Sequence, residues 1–502
     1  IGTPSELQDG VGRGLVSWYN IDPRFFGIGG GQPAGIDNNA LSKHLQRRVK
    51  NQELFSERDY IAGEQLYMNT FDVSFYPQDR GPYNFNLSEN PDTFTDYASR
   101  WGGLMRPVSV TNFAEANIEY LEFWMMDPYA DSAAPGANPL GNNPQLILQL
   151  GNVSEDVLRD GQLLYENGIV DDATQMTSTK WGKQPKNYPL VYAFDTEGEA
   201  RRKQDVGYDG LMSDFEAQFY AGLNIDIGDF ANYRNPITGQ LDPAGDDFVF
   251  YLNSEWDSSS DRSSIVNRYK YFRNLEGNSP SNSLNASSAA PDSEDLNKDF
   301  NLDETENYNQ YRLVLTDASL KDASNPYIAD RKILNNIALP NGKTGSTTWY
   351  LVRIPVSDYV KEGVGSAEIL NNVRYIRMLM KGFTNTATLR FATFDLVRSD
   401  WRKYEKNISA YTPITKPVIP EEGSMLQSNT SDVSISAVNL EENSTSRPPY
   451  VLPPGITREI LGNTTGTQMQ NESSLKLEVV DLDHKEPRGI YKNIALDMRR
   501  YK

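Results

Sequence analysis

The sequence contains no cysteine and only two histidines in 502 residues. Without cysteine, disulfides, thiolate-ligated zinc, iron–sulfur clusters and cysteine nucleophiles are excluded. The two histidines, His44 and His484, lie far apart in the sequence, so a histidine-rich zinc site is excluded and Ser-His-Asp catalysis would depend on one of them. Both lie among charged residues, and we interpret both as solvated surface residues.

Positively charged residues are scarce relative to acidic ones. Lys and Arg number 48 against 68 Asp and Glu, which gives a formal net charge of −20. This balance argues against nucleic-acid binding and against electrostatic adhesion to anionic lipid, because both need a basic surface. Aromatic residues make up 11% of the chain, which is too many for a disordered protein.

Long apolar runs are missing as well. No segment approaches the ~18 consecutive apolar residues that a membrane-spanning helix needs. Membrane β-strands are not excluded, because each gives a much weaker signal. No signal peptide is predicted at the start of the sequence, where a charged, then apolar, then small-residue leader is missing.

Alternation of apolar and polar residues with a period of two is the main structural signal. In the segment 117–125, for example, Leu121, Phe123 and Met125 fall on one face. Such runs, bounded by Gly, Pro and Asn, predict a mainly β protein of tandem antiparallel β-sandwich (jelly-roll-like) domains, with short helical and loop-rich connections. The predicted strands are 71–76, 117–125, 146–150, 311–315, 349–355, 389–394 and 475–481.

An internal repeat supports a division into domains. The segment 117–123 parallels 372–378, and in each copy a loop and then an apolar strand follow. We interpret this as two sandwiches of one type, arising by duplication. The predicted division is a lead-in segment at 1–60, a first β-sandwich at 61–153, a helical and loop-rich connection with an acidic loop at 154–305, a second β-sandwich at 306–404, and a linker with an incomplete third β-sandwich at 405–502.

Three short helices are also predicted. One covers 41–54, a single turn covers 156–161, and a third covers 213–223. In the third, Ser213 as N-cap and Glu216 three residues later have the spacing of a capping box.

The densest acidic stretch lies between Asp292 and Glu306, with seven carboxylates and one lysine. Its spacing is that of a calcium loop, D-x-[DN]-x-[DN]-G-x₅-E, in which alternating oxygen ligands surround Ca²⁺. The departure is Phe300, which stands where this loop normally has glycine. The alternative interpretation is a solvated acidic linker between domains. The candidate metal ligands are Asp295, Asn297, Asp299, Asp303 and Glu306.

Carboxylates and aromatic residues are the candidates for an enzymatic or a sugar-binding site. Glu119 and Glu122 are poor candidates for the carboxylate pair of a glycosidase, because the period-two rule places them on opposite faces of a strand. We expect no catalytic activity. A platform of exposed aromatics would support the alternative function, a cell-surface carbohydrate-binding β-sandwich protein; the candidate residues are Trp101, Trp124, Trp181, Trp256, Trp349 and Trp401.

Several segments, in order along nearly the whole chain, resemble one family. They are GLVSWYNIDP at 14–23, RGPYNFN at 80–86, YLEFWMMDPY at 120–129, LGNVSED at 150–156, RYKY at 268–271, EGNSP at 276–280 and EDLNKD at 294–299. Together they resemble the SprA/Sov family, the outer-membrane translocon of the type IX secretion system, which is linked to gliding motility. None of these motifs is catalytic.

The resemblance implies an architecture and a role. The family protein is a much longer single-chain β-barrel through which folded cargo leaves the periplasm, so this chain is expected to be an internal fragment of it. The implied role is a non-catalytic cap or pore-lining part at the cell outer membrane, with an extracellular or lumen-facing position favoured over a periplasmic one. The implied partners are secreted cargo, plug and accessory proteins of the secretion system, and the outer membrane through the full-length barrel. No cofactor is implied, and calcium is expected only if the acidic loop binds it.

Overall fold

The computed structural model of the chain describes most of the sequence. The described residues are 7–58, 60, 64–85, 96–132, 138–166, 175–186, 193–195, 198–222, 233–277, 290–360, 365–404, 432–446, 448–463, 466–482 and 488–492. Within them, no helix has both the length and the apolar character needed to cross a membrane. His484 and the predicted start of a third sandwich near 497–502 lie outside the described residues.

Strands dominate the described part of the chain, as predicted. The strands are β1 Gly14–Tyr19, β2 Val49–Lys50, β3 Tyr67–Met68, β4 Phe71–Arg80, β5 Trp101–Pro107, β6 Ile118–Met126, β7 Gln145–Asn152, β8 Met176–Ser178, β9 Lys183–Pro185, β10 Asn307–Val314, β11 Ile328–Ala338, β12 Thr344–Pro355, β13 Tyr375–Lys381, β14 Ala387–Arg398, β15 Trp401–Lys403, β16 Asp432–Asn439, β17 Ile460–Asn463, β18 Gly466–Met469, β19 Ser473–Val480 and β20 Ile490–Lys492.

The helices are short. The α-helices are α1 Asn51–Leu54, α2 Phe113–Ala116, α3 Gly198–Gln204, α4 Ser213–Gly222, α5 Glu255–Ser258, α6 Ile265–Arg268, α7 Asp317–Lys321 and α8 Leu440–Asn443. Turns of 3₁₀ helix are Leu7–Gly10, Pro23–Phe26, Ala40–Ser42, Tyr97–Ser99 and Ala367–Asn371.

Two antiparallel sheets form the main sandwich. The first has six strands in the order β1-β4-β14-β6-β12-β11, and the second has four in the order β10-β7-β13-β5. Every neighbouring pair in both sheets is antiparallel. The mainly β, antiparallel sandwich fold predicted from the period-two pattern is therefore confirmed.

The core between the sheets is built from the inward residues of both. On β6 these are Leu121, Phe123 and Met125, each 0% exposed, as the alternation predicted. The Phe123 ring stacks on Phe394 of β14 with centroids 5.1 Å apart. Burying one such side chain contributes about 1.5–3 kcal/mol, so this layer accounts for much of the stability of the sandwich.

The boundaries predicted for two separate sandwiches, 61–153 and 306–404, differ from the observed arrangement. Strands of the two segments alternate within the same sheets: β6 pairs with β12 and β14, and β7 pairs with β10 and β13. The two copies of the repeat also fall in different sheets, because β6 belongs to the six-stranded sheet and β13 to the four-stranded one. Within 61–153 no two of the described strands pair with each other, and within 306–404 only β11 and β12 do, so the two segments complete each other's sheets.

The lead-in segment is part of this fold. Its strand β1 is an edge of the six-stranded sheet. Val49 and Leu54 are 1% exposed and cover the outer face of that sheet, where they pack with Trp124 of β6 and Trp349 of β12.

The predicted helix over 41–54 is wrong. Only Ala40–Ser42 and Asn51–Leu54 form turns of helix. His44, expected at the surface, is 6% exposed, and Arg47 Nε donates to its Nδ1 at 3.1 Å. The guanidinium of Arg390 on β14 donates hydrogen bonds to the main-chain carbonyl oxygens of His44 and Arg47. These contacts hold the backbone between the two turns in a conformation that is not helical.

The connection 154–305 packs in small aromatic cores that it shares with earlier parts of the chain. Buried Trp181 and Tyr220 share one core with Tyr83 and Phe85, which follow β4. The helix predicted from Ser213 is confirmed as α4, but its capping box is not formed, because Glu216 accepts the Ala244 amide. The helical turn predicted at 156–161 is not observed.

Candidate functional site

The outer face of the four-stranded sheet carries a groove of about 900 Å³. Period-two alternation turns one set of side chains from β10, β7 and β13 into the core and the other set into this groove. The groove is lined by Ala98, Trp101, Asn142, Asn143, Gln145, Ile147, Gln149, Arg159, Glu306, Tyr308, Gln310, Arg312, Arg377, Leu379, Lys381, Gly382 and Thr384.

The strand register arranges these side chains in rows across the sheet. Gln310, Gln149 and Arg377 are direct neighbours in one row. In the next row Arg312 is opposite Ile147, which is opposite Leu379. A third row runs from Gln145 across Lys381 to Trp101 on the edge strand β5.

Arg377 is held at the centre of this face. Its guanidinium makes a bidentate ion pair with Glu306, in which Nη1 lies 2.9 Å from Oε1 and Nη2 lies 3.0 Å from Oε2. Its Nε donates to Gln149 Oε1 at 2.5 Å. The guanidinium also lies 5.1 Å from the centre of the Tyr308 ring. These contacts fix the planar donor group in one orientation, as recognition of a carboxylate or amide requires.

The exposed end of the groove is basic. Four cationic side chains line it against the single carboxylate of Glu306, although the chain as a whole carries a charge of −20. Arg312 and Lys381 are exposed, and Trp101 is 37% exposed. The surface therefore offers donors for carboxylates and amides, with an indole edge for apolar or sugar contacts.

The sequence pattern does not identify the cationic residues of this groove. Arg312 lies in the predicted strand 311–315, and Arg377 lies in the second copy of the repeat, 372–378. Each occupies a polar position of the period-two pattern, and a charged residue at such a position ordinarily points into solvent. The period-two pattern was enough to place them on one side of a strand, but not to show that β10, β7 and β13 are neighbours.

The predicted calcium ligands lie beside this groove, in the loop leading into β10. Arg374 donates to Asp303 at 2.6 Å and to Asp299 at 3.1 Å. The Tyr375 hydroxyl donates to Asp303 at 2.8 Å, and burial raises the pKa of Tyr375, which keeps that hydroxyl protonated. Glu306, the last predicted ligand, is the partner of Arg377.

The first two predicted ligands face main-chain amides. Asp295 accepts the amides of Asp299 and Phe300 at 3.1 and 2.8 Å, and Asn297 accepts the Asp299 amide at 2.8 Å. Phe300 has a φ of 63°, the backbone conformation for which a calcium loop uses glycine at this position. Calcium binding by this loop stays a prediction, and it would require the arginine contacts to open.

The alternative of a solvated linker does not fit the first part of the acidic stretch. Glu294 is 1% exposed and accepts the amides of Val157 at 2.8 Å and Leu158 at 3.2 Å. Burial raises the pKa of Glu294 well above its ordinary value. This part of the stretch is therefore packed into the fold.

The other residues considered from sequence are dispersed. Glu122 pairs with Arg353 of β12, while Glu119 is half-buried and burial raises its pKa. Of the six candidate tryptophans, four are in the core and only Trp101 lines the groove; the four buried ones are Trp124, Trp181, Trp256 and Trp349.

Comparison with known proteins then gives the family. A search of curated proteins gives no match to this chain. The SprA_N family, described as a motility related/secretion protein, matches residues 227–502, which is more than half of the chain and includes β10–β20. The chain therefore belongs to the SprA_N family of motility-related and secretion proteins.

Proposed function

We propose that this chain is a non-catalytic part of an outer-membrane protein-secretion translocon, and that the groove of the four-stranded sheet contacts secreted cargo. The observation that carries the proposal is the cationic, hydrogen-bonding groove on the open face of a sandwich whose other outer face is covered by residues such as Val49 and Leu54. A cap or lumen-lining position in the full-length protein would present this groove to passing proteins.

The groove suits an extended segment of another protein that carries carboxylates. Arg377 is already oriented by Glu306, Gln149 and Tyr308, so little side-chain entropy is lost when its remaining surface is used. The exposed Arg312 and Lys381 add positive charge, which speeds the encounter with an acidic segment and helps to select it.

The direct experiment is charge reversal at the groove in the full-length protein of its native cell. Arg312→Glu and Lys381→Glu each replace an exposed cation, so the fold is expected to persist. Export of cargo to the medium is expected to fall while cargo accumulates in the cell. The measurement is quantitative proteomics of both fractions, with the level of the variant protein measured alongside.

Lys343→Glu is the matched control. Lys343 is exposed in the turn between β11 and β12, at the far edge of the six-stranded sheet. This variant makes the same change in charge and is expected to leave export unchanged. Unchanged export in both groove variants, or an equal loss in the control, would contradict the proposed role of the groove.

A carbohydrate ligand is the second candidate, favoured by one observation. Trp101 stands at the end of the row that contains Lys381 and Gln145, and an exposed indole beside amide donors is an arrangement that sugars can use. A glycan array probed with the purified chain distinguishes the two. Glycan binding that is lost in Trp101→Ala, together with normal export of cargo by the same variant, would favour the carbohydrate function.

A further inference from the structure

A second set of six acidic residues belongs to the connection 154–305 and is separate in sequence from the predicted calcium loop. Four of these side chains are 0–1% exposed, and the six lie on α4 and on the segments before and after it in the sequence. They are Asp209, Glu216, Asp242, Asp246, Asp247 and Glu276. Arg80 is a cation beside this group, and its guanidinium donates to the main-chain carbonyl of Asp242 at 3.4 Å.

Three of these carboxylates converge. One oxygen from each of Glu216, Asp242 and Asp246 lies within 4.8 Å of the others. Calcium binds oxygen at about 2.3–2.6 Å, so ligands on opposite sides of one ion are up to about 5 Å apart. The three oxygens thus have the spacing of ligands that share a calcium ion. Among the described residues, these three are the one group of at least three Asp, Glu or His side chains whose potential ligand atoms all lie within this distance of one another.

An independent observation points to a ligand at the same place. Glu216 Oε1 and Asp246 Oδ1 are buried, and neither has a hydrogen-bond partner within the described part of the chain. The other oxygen of each is fixed: Glu216 Oε2 accepts the Ala244 amide at 2.5 Å, and Asp246 Oδ2 accepts the Tyr83 hydroxyl at 2.7 Å. Each side chain is therefore oriented by one bond and leaves a second oxygen unsatisfied, which is costly in a buried site.

A neutral oxygen donor lies close by. Asn274 is 2% exposed, and its side-chain amide donates to the Gly245 carbonyl at 3.2 Å. This leaves Asn274 Oδ1 buried without a donor among the described residues, next to the turn that carries Asp246. Amide and carboxylate oxygens are the hard donors that calcium prefers.

We propose that Glu216, Asp242 and Asp246 bind one calcium ion. The donor set is all oxygen, with neither the sulfur nor the imidazole ligands that zinc prefers. The ion would join α4 to the 242–247 turn, whose Ala244 carbonyl accepts the Tyr83 amide at 2.8 Å. Calcium would thus lock the connection 154–305 against the segment that follows β4.

The test is calcium binding by the whole chain and by nearly isosteric variants. Isothermal titration of the calcium-free chain with CaCl₂ is expected to show one site, and the thermal midpoint is expected to rise by several degrees in calcium relative to chelator. MgCl₂ at the same concentration is expected to raise it less, because magnesium demands a tighter octahedron. Glu216→Gln and Asp246→Asn are each expected to weaken calcium binding by at least ten-fold and to remove the thermal shift.

Asp303→Asn is the matched control, because it removes one carboxylate from the predicted calcium loop and leaves the buried group intact. It is expected to retain the calcium response, and this result supports the proposal even if one of the buried-site variants fails to fold. No calcium binding by the unmodified chain would overturn the proposal. So would full binding by folded Glu216→Gln and Asp246→Asn, or loss of binding in Asp303→Asn alone, which would assign the ion to the loop.

Discussion

Arg390 and Asp72 face each other across the β4–β14 pair and form an ion pair in which the two side chains are 1% and 0% exposed. Arg390 Nε lies 2.8 Å from Asp72 Oδ1. The same guanidinium donates to the carbonyls of His44 and Arg47 at 2.7 and 2.9 Å. This one contact therefore joins the lead-in segment, a strand from the first half of the sandwich and a strand from the second.

Removing one charge of this pair is expected to destabilise the folded chain strongly. Asp72→Asn keeps the size of the side chain but leaves the Arg390 guanidinium buried without its counter-charge, which should lower the free energy of unfolding by about 3–5 kcal/mol. Urea denaturation followed by tryptophan fluorescence measures this loss. The double variant Asp72→Asn/Arg390→Gln is expected to lose less than the sum of the two single variants, because the two groups are coupled.

An exposed ion pair provides the comparison. Lys321 pairs with Asp317 at 2.7 Å within α7, and the Lys321 side chain is 57% exposed. Lys321→Gln should cost less than about 0.5 kcal/mol, because solvent screens such pairs. If Asp72→Asn and Lys321→Gln lower the free energy of unfolding by similar amounts, the buried ion pair does not join the three segments of the chain in the way proposed.

The second prediction concerns stability at acidic pH. Burial and the nearby Arg47 lower the pKa of His44 below its ordinary value of 6.5, with Arg390 acting in the same direction and Asp131 and Glu53 opposing it. Protonation would also remove the acceptor for the Arg47 Nε bond. Because the pKa is lower in the folded state, the stabilisation is complete above pH 6.5 and is lost as the pH falls towards the folded-state pKa.

The measurement is the difference in unfolding free energy between the unmodified chain and His44→Gln, from pH 7.5 to 5. The unmodified chain is expected to lose stability relative to this variant by about 1.4 kcal/mol for each unit by which the pKa is lowered. Taking the difference cancels the opposite trend from the buried acids, whose raised pKa values favour the folded state at low pH. His484→Gln, which changes the other histidine of the chain, is the control; an equal effect of both variants would refute the role of His44.

The local structure of the sandwich was largely predictable from sequence. The strand predicted at 117–125 is β6 at Ile118–Met126, and the helix predicted from Ser213 is α4. The period-two pattern does not determine which strands pair with each other. Strands share composition, so the repeat at 117–123 and 372–378 equally suits two tandem sandwiches or, as observed, two halves of one.

The missed features depend on contacts between distant parts of the chain. The segment 41–54 has the composition of a helix, but tertiary contacts such as the one from Arg390 override that preference. Likewise, Glu216 and Asp246 lie in a helix and a turn without any common spacing, and only the fold brings their oxygens together. By contrast, the ligands of the predicted calcium loop are close in sequence, so spacing alone could suggest them.

The third prediction separates the structural role of the acidic loop from calcium binding. Asp303 accepts hydrogen bonds from Arg374, Tyr375 and Asn297, at 2.6, 2.8 and 3.2 Å. Replacing it by asparagine removes charge-assisted bonds that dock the loop on β13, and should lower the free energy of unfolding by about 1.5–3 kcal/mol. The loop is then expected to be cut faster by a protease, whether calcium or chelator is present.

The neighbouring Glu304 gives a matched control, because its side chain is exposed in the same loop. Glu304→Gln removes the same charge and should change stability by less than about 0.5 kcal/mol, since it breaks no buried contact. Cleavage at 292–306 that is slowed by calcium in the unmodified chain, and no longer slowed in Asp303→Asn, would instead show that the loop binds the ion. In that case Arg374 would have to leave Asp299 and Asp303, and Arg374→Gln would be expected to strengthen calcium binding by the loop.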